Sequence, residues 1–190
     1  MGSEMCIRDS NYATDSSYDQ ERFDESDLSE LIDYAMWSSE PVPFDPMEIT
    51  LHKIYEKTQI QDLRKEYALF HEYPLDGKPP MMTHLFENTG KDRIIAAKGA
   101  PEAILSVSKL PDSEKDKIRA IVKSYGEQGF RLLGVGKAKF EGNNFPAKQQ
   151  DFEFQFLGLT VFYDPPKKGI QEVFQDIYDA GIKVKVITGD

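Results

Sequence analysis

The stretch that decides the fold runs Thr83-His84-Leu85-Phe86-Glu87-Asn88-Thr89-Gly90-Lys91-Asp92-Arg93-Ile94-Ile95-Ala96-Ala97-Lys98-Gly99-Ala100-Pro101-Glu102. Two apolar-rich runs, Thr83–Asn88 and Arg93–Lys98, flank the polar segment Thr89-Gly90-Lys91-Asp92, which is the pattern of a β-hairpin. The second run ends at Gly99, where a missing side chain lets another group come close to the backbone. Pro101 then opens a short helix. A lysine at a strand end beside a helix amino terminus draws an anionic or electron-rich ligand. The same five residues also make an ordinary strand-to-helix turn with a solvated lysine, so the motif alone leaves both readings open.

Upstream, Ala68–Leu75 reads as another strand. Before it stand two helices. In the first, Asp27 and Glu30 have capping-box spacing, and Leu28, Leu31, Ile32, Ala35 and Met36 fall on one face. Glu40-Pro41-Val42-Pro43 breaks it. The second starts with Asp45 as cap, Pro46 at the first helical position and Glu48 placed to return a bond from the third. Met47, Leu51, Ile54 and Tyr55 line its inner side. Downstream, a helix over Ser113–Glu127 turns Ile118, Ile121, Val122 and Tyr125 inward and ends near Gly126 and Gly129. Phe130–Lys139 is a strand. The last forty residues follow a different pattern. A strand over Phe154–Phe162 ends at Asp164-Pro165-Pro166. A helix with Ile170, Val173, Phe174 and Ile177 on one face follows, then a strand over Lys183–Ile187. That spacing predicts a βαβ unit with a parallel strand pair, whose carboxyl edge is where ligands gather.

Composition narrows the class. The 190 residues are 39% hydrophobic, with 12 Phe and 9 Tyr, enough apolar material for a core. Residues 1–50 hold 13 of the 33 acids and only 2 of the 23 bases, so the net charge of −10 sits at the front of the chain. With no basic stripe interleaved with aromatics, nucleic acid is excluded as a partner. The longest nearly uncharged apolar stretch, Phe154–Tyr163, is half the roughly 20 residues a membrane-spanning helix needs. A single cysteine, Cys6, excludes an internal disulfide and a multi-cysteine zinc site. Residues 1–24 are polar and aperiodic and are expected to be disordered, with Met1-Gly2-Ser3 read as an expression or annotation scar.

Three segments in this order resemble the cation-transporting P-type ATPases, most closely their calcium-pump-like branch. They are Lys98-Gly99-Ala100-Pro101-Glu102, Gly129-Phe130-Arg131-Leu132-Leu133, and Asp164-Pro165-Pro166-Lys167-Lys168 through Ala180-Gly181-Ile182-Lys183-Val184 to Thr188-Gly189-Asp190. Asp45-Pro46-Met47-Glu48 adds a fourth, weaker match. In that family a nucleotide-binding domain is inserted into a haloacid-dehalogenase-like phosphorylation domain. ATP places its adenine in the former and its γ-phosphate at an aspartate of the latter. The resemblance implies that Lys98 and Gly99 line the adenine pocket, with Asp45 near the adenine and Glu48 its companion on the same helix. Arg131 would reach the phosphates. Asp164 and Lys167 resemble hinge and phosphorylation-domain positions, and Thr188, Gly189 and Asp190 resemble the loop that helps hold the phosphoryl group and its magnesium.

Two departures follow. Counting back from Met82, Leu75 stands where the family usually has a stacking aromatic, and leucine lacks the π-system that favours stacking. Tyr73 is two residues away on the same strand face, which leaves open whether it compensates, and Lys78 supplies the one positive charge nearby; both Tyr73 and Leu75 also fit a core role. Adenine binding is therefore expected to be weaker than with the aromatic. Secondly, the 190 residues contain neither the Asp-Lys-Thr-Gly-Thr segment nor the Gly-Asp-Gly-x-Asn-Asp magnesium loop. Phosphoryl transfer needs acceptor, metal and phosphate held together, so this piece is not expected to turn over ATP alone.

The fold expected is α/β: residues 27–153 form a nucleotide-binding domain with an antiparallel sheet flanked by helices, and residues 154–190 form a hinge and part of a phosphorylation domain. The expected ligands are ATP and, in the full-length protein, Mg2+. The expected partners are the phosphorylation, actuator and transmembrane domains of the same polypeptide, on the cytoplasmic side of a membrane, with the fragment itself monomeric. Two rivals stand beside this reading: a cap-bearing haloacid-dehalogenase-like phosphatase, and a regulatory module that has lost nucleotide affinity. His52, His71 and His84 lie on separate elements and read as surface or packing residues, and Trp37 as a packing residue.

Overall fold

The chain alternates small helices with a sheet whose two faces are both covered. A computed structural model describes residues 6–11, 16–19, 29–58, 61–163 and 169–185. The elements are β1 (Cys6–Asn11), β2 (Ser16–Asp19), α1 (Ser29–Trp37), α2 (Pro46–Thr58), β3 (Tyr67–Asp76), β4 (Met81–Asn88), β5 (Arg93–Gly99), α3 (Pro101–Ser106), α4 (Asp112–Glu127), β6 (Arg131–Ala138), β7 (Phe154–Tyr163) and α5 (Ile170–Asp179). The strands form one sheet in the order β2-β1-β7-β6-β5-β4-β3, and every neighbouring pair is antiparallel.

Alternation along the strands divides the core in two. On one face α1 and α2 set Leu31, Ile32, Met36, Leu51, Ile54 and Tyr55 against Phe86, Ala96, Val135 and Phe162. Trp37 packs edge-on to Phe86 with ring centroids 4.8 Å apart, closing the end of α1 as expected of a packing tryptophan. On the other face α3 and α4 bring Ala103, Ile104, Leu105 and Ile118 onto Met81, Leu85, Ile95, Phe154 and Val161. Full burial is worth roughly 1.5–3 kcal/mol per large apolar side chain, so each face contributes and neither can be dispensed with.

The hairpin forms where the sequence places it. In its turn Asn88 Oδ1 accepts from the Asp92 amide at 2.9 Å, and Lys91 takes a left-handed φ of 70°. The α2 start is also as read, with Asp45 Oδ1 accepting from the Met47 amide at 2.8 Å and Pro46 as first helical residue. Glu48 departs from expectation: its carboxylate goes to a lysine, described below, and does not return a capping bond. Glu30 likewise pairs with Lys137 across to β6; its proposed capping partner Asp27 lies outside the described residues.

Three further corrections concern the ends. First, β7 does not open a parallel βαβ unit; it pairs antiparallel with β6 and β1 inside the sheet. β6 and β7, which stand on either side of the boundary expected at residues 153/154, are hydrogen-bonded neighbours. An apolar run buried on both faces looks the same from sequence whether its neighbours are parallel or antiparallel. Secondly, residues 183–185 have no regular structure, and 186 and 187 lie outside the described residues. The amphipathic α5 forms but buries none of its residues, with Val173 and Tyr178 exposed. Thirdly, β1 and β2 lie within the segment expected to be disordered. β1 runs along the free edge of β7, from Cys6 opposite Tyr163 to Ser10 opposite Leu159. Main-chain pairing along an open edge needs no apolar periodicity, so the sequence carried no signal for it.

Candidate functional site

Lys98 is the last residue but one of β5 and faces α1 and α2, in step with Ala96. The residue is buried, 6% exposed, and its ammonium donates to Glu48 Oε1 at 2.5 Å and to Ser39 Oγ at 2.8 Å. Ser39 follows α1. Its hydroxyl passes a bond on to the Ala35 carbonyl at 2.9 Å, while its own carbonyl accepts from His84 Nδ1 at 3.1 Å. One polar chain thus joins α1, α2, β4 and β5 beneath the sheet edge. Glu48 keeps a second carboxylate oxygen, Oε2, buried and without a hydrogen-bond partner.

Burial pushes the Lys98 ammonium below the ordinary lysine pKa, while Glu48, and then Asp45 and Glu40, pull it back up. The two buried histidines respond to the same dry surroundings. His84 is pushed down by burial against the opposing pull of Glu40 and Glu72. His52 is pushed down by burial and by the neighbouring Arg64 guanidinium. Both imidazoles are thus held neutral more firmly in the folded chain than in the unfolded one, whose histidines titrate at about 6.5. As pH falls through that value the unfolded chain binds protons that the folded chain resists, and stability drops. The urea midpoint is expected to be lower at about pH 5.5 than at about pH 7.5, with the difference reduced in the His52→Gln, His84→Gln variant. An equal pH dependence in the variant would show that the two rings do not cause it.

The register places the remaining residues. Lys98 is opposite Met82 and Val135, and Gly99 opposite Met81 and Gly134. Leu133 and Val135 pack toward α1 and α2, so alternation puts Arg131 on that face too, roughly 13 Å along β6 from Val135. Arg131 is exposed. β3 carries an irregularity between Tyr73 and Asp76, and Asp76 is opposite Met81. Counting back from Asp76, Leu75 falls on the Lys98 face, 64% exposed. Lys78 is exposed in the connection from β3 to β4 at the same sheet end. Asp45 is half-buried and committed to capping α2.

Tyr73 takes the core position that the sequence left open for it. It lies on the opposite face, buried among Met81, Phe152 and their neighbours, and its hydroxyl donates to the Pro146 carbonyl at 2.6 Å. The irregularity in β3 separates it from Leu75 and puts the two side chains on opposite faces of the sheet. Gly99 is also explained by packing: a Cβ there would meet Pro80 O at 2.5 Å and Met81 Cα at 2.6 Å. The group that approaches its backbone is β4 itself. Asp164, Lys167, Thr188, Gly189 and Asp190 lie outside the described residues.

Sequence reasoning missed Ser39, which holds Lys98 and His84 together. Its only trace was a pair of serines directly after an apolar helical face, the position where hydroxyls bond back to the carbonyls of the preceding turn. It also missed Gln149, buried and bridging Thr83 Oγ1 at 2.9 Å with the Met81 carbonyl at 2.9 Å. A polar residue opening a single 3-10 turn, Gln149–Asp151, carries no such mark.

The antiparallel sheet with paired helices on each face, and the Lys-Gly-Ala-Pro-Glu corner at one strand end, are the features the sequence resemblance implies for a P-type ATPase domain. The family described as "P-type ATPase, cytoplasmic domain N" matches residues 42–169, and the chain belongs to it. It is similar to a calcium-transporting ATPase of Bacillus subtilis, 27% identical over 67% of this chain and 16% of that protein. It is similar also to a sodium/potassium exporting P-type ATPase of Schizosaccharomyces pombe, 28% identical over 77% of this chain and 15% of that protein. A putative cation-transporting ATPase of Methanocaldococcus jannaschii is 24% identical over 85% of this chain and 18% of its own length. The chain thus spans less than a fifth of each of these relatives. No described helix is long and apolar enough to cross a membrane.

Proposed function

We propose that this chain is the nucleotide-recognition part of a cation-transporting P-type pump and that it binds ATP at the sheet edge bearing Lys98. The observation that supports this is the gathering of Lys98, Glu48, Leu75, Lys78 and Arg131 at one end and toward one side of the sheet. Glu48 Oε2 offers an acceptor for an exocyclic amine of the base, Leu75 an apolar cover for the ring, and Lys78 and Arg131 positive charge for the phosphates. Arg131, within one of the segments of the family resemblance, would meet the phosphate end of the nucleotide. Asp45 supports the site through the α2 start.

In the parent protein the γ-phosphate goes to an aspartate outside these 190 residues, with the hinge following β7 at Asp164 and Lys167. Thr188, Gly189 and Asp190 would help hold the phosphoryl group and Mg2+, whose part is to offset phosphate charge. The Lys-Gly-Ala-Pro-Glu motif and the family match over residues 42–169 argue against a soluble phosphatase cap. ATP titrated to millimolar concentration should shift the backbone amides of Ser39, Glu48, Leu75, Lys98, Gly99 and Arg131 together.

One observation favours a second reading, that of a module that has lost its nucleotide. The Lys98 ammonium is already taken by Glu48 and Ser39, and Leu75 brings no ring. Absence of any shift at millimolar ATP, or shifts confined to other residues, would favour that reading and end the first.

A further inference from the structure

The polar chain beneath the sheet edge continues past Lys98 to a second cluster that nucleotide binding does not use. A carboxylate oxygen of Glu40, one of Glu72 and a ring nitrogen of His84 all lie within 4.8 Å of one another. Their positions follow from the fold: Glu72 on β3 is directly opposite His84 on β4, and Glu40 follows the Ser39 turn after α1. His84 is completely buried. Its Nδ1 is bonded to the Ser39 carbonyl, and a carbonyl can only accept, so Nδ1 carries the proton. The lone pair of the neutral ring is then on Nε2, which is buried and has no hydrogen-bond partner. A fully buried imidazole with its basic nitrogen unused, next to two carboxylates, is a costly arrangement unless something else binds there.

We infer that Glu40, Glu72 and His84 form a binding site for a divalent transition cation of the zinc type. One imidazole and two carboxylates suit such an ion, whereas magnesium and calcium select oxygen ligands alone. The Nδ1 bond to the Ser39 carbonyl is the outer-shell contact that fixes ring orientation and tautomer in histidine metal sites. Zinc–ligand distances of about 2.0–2.2 Å require the three atoms to draw together by roughly 1 Å, which the exposed Glu72 and half-buried Glu40 side chains permit. The nearby Lys98 charge does not oppose this strongly, because Glu48 is in contact with it. A fourth position is left to water.

Zinc chloride titrated alone into the 190-residue chain, with no nucleotide present, tests the site. Calorimetry is expected to give one saturable event, weakened at least ~10-fold in Glu72→Gln, a substitution at an exposed position that leaves the fold intact, and in His84→Gln. Histidine 15N spectra should show zinc moving the His84 Nε2 resonance while those of His52 and His71 stay in place, and magnesium at equal concentration should move none. No saturable binding, unchanged affinity in Glu72→Gln, or an unmoved His84 resonance would each overturn the site. An equal response to magnesium would overturn its transition-metal character. None of these readouts depends on ATP, so their failure leaves the nucleotide proposal standing, and the reverse holds.

Discussion

Lys98→Ala is expected to destabilise the folded chain by about 3 kcal/mol or more, the cost of leaving the other half of a buried ion pair uncompensated. The sequence invites a milder outcome, in which the lysine serves a ligand and its loss spares the fold. The geometry argues otherwise. Both side chains of the pair are nearly buried, 7% and 11% exposed, and the ammonium is the partner of Glu48 Oε1 and a donor to Ser39. Removing it leaves the nearly buried Glu48 carboxylate without its ion-pair partner, and its second oxygen has no hydrogen-bond partner either. Urea unfolding of Lys98→Ala should therefore show a clear fall in midpoint. Adding Glu48→Leu to it should recover part of the loss, since the orphaned charge is then gone. Neither variant should regain the ATP-induced amide shifts. Parental stability in Lys98→Ala, or no recovery in the double variant, would show that the pair carries no structural weight.

How much of this was legible before the structure depended on whether the signal was local. The inner faces of α1 and α2 were readable because apolar spacing at 3.6 residues repeats over two turns and more, and the β4–β5 hairpin because its turn chemistry is contiguous. Asp45 and Pro46 were readable for the same reason. Glu48 was read as near the site but given the wrong partner: capping-box spacing is a local rule, and a buried lysine fifty residues away outweighs it. Tyr73 was placed beside Leu75 because period-two alternation assumes an unbroken strand, and the irregularity between Tyr73 and Asp76 breaks it. β7 was found as a strand and misread in its pairing, since a strand buried on both faces says nothing of its neighbours' direction. His84 was read as a surface or packing residue, and it is buried; that one of its nitrogens lacks a partner is a tertiary fact with no sequence trace.

Gly99→Ala is the second change expected to have a large effect, and here the cause is steric. The new Cβ would lie 2.5 Å from Pro80 O, 2.6 Å from Met81 Cα and 2.8 Å from Met81 Cβ. Overpacking by a methyl group commonly costs about 1–3 kcal/mol, and the upper end applies when the obstacle is main chain that cannot rotate aside. To admit the methyl, the start of β4 has to move off β5. That movement breaks the bond from the Ala100 amide to the Pro80 carbonyl at 2.9 Å and shifts Met81, which is 1% exposed in the α3–α4 core. It also displaces Lys78 and the end of β3, so ATP binding at this edge should weaken along with stability. Gly126→Ala in α4 is the internal comparison: nothing lies within 4 Å of its Cβ, and alanine there is expected to be neutral or to stabilise by up to about 1 kcal/mol. Urea midpoints of the two variants should move in opposite directions or leave Gly126→Ala unmoved. A Gly99→Ala chain as stable as its parent would mean that the glycine of the Lys-Gly-Ala-Pro-Glu corner is not kept for the approach of β4, and that the space above its backbone is open to the nucleotide instead.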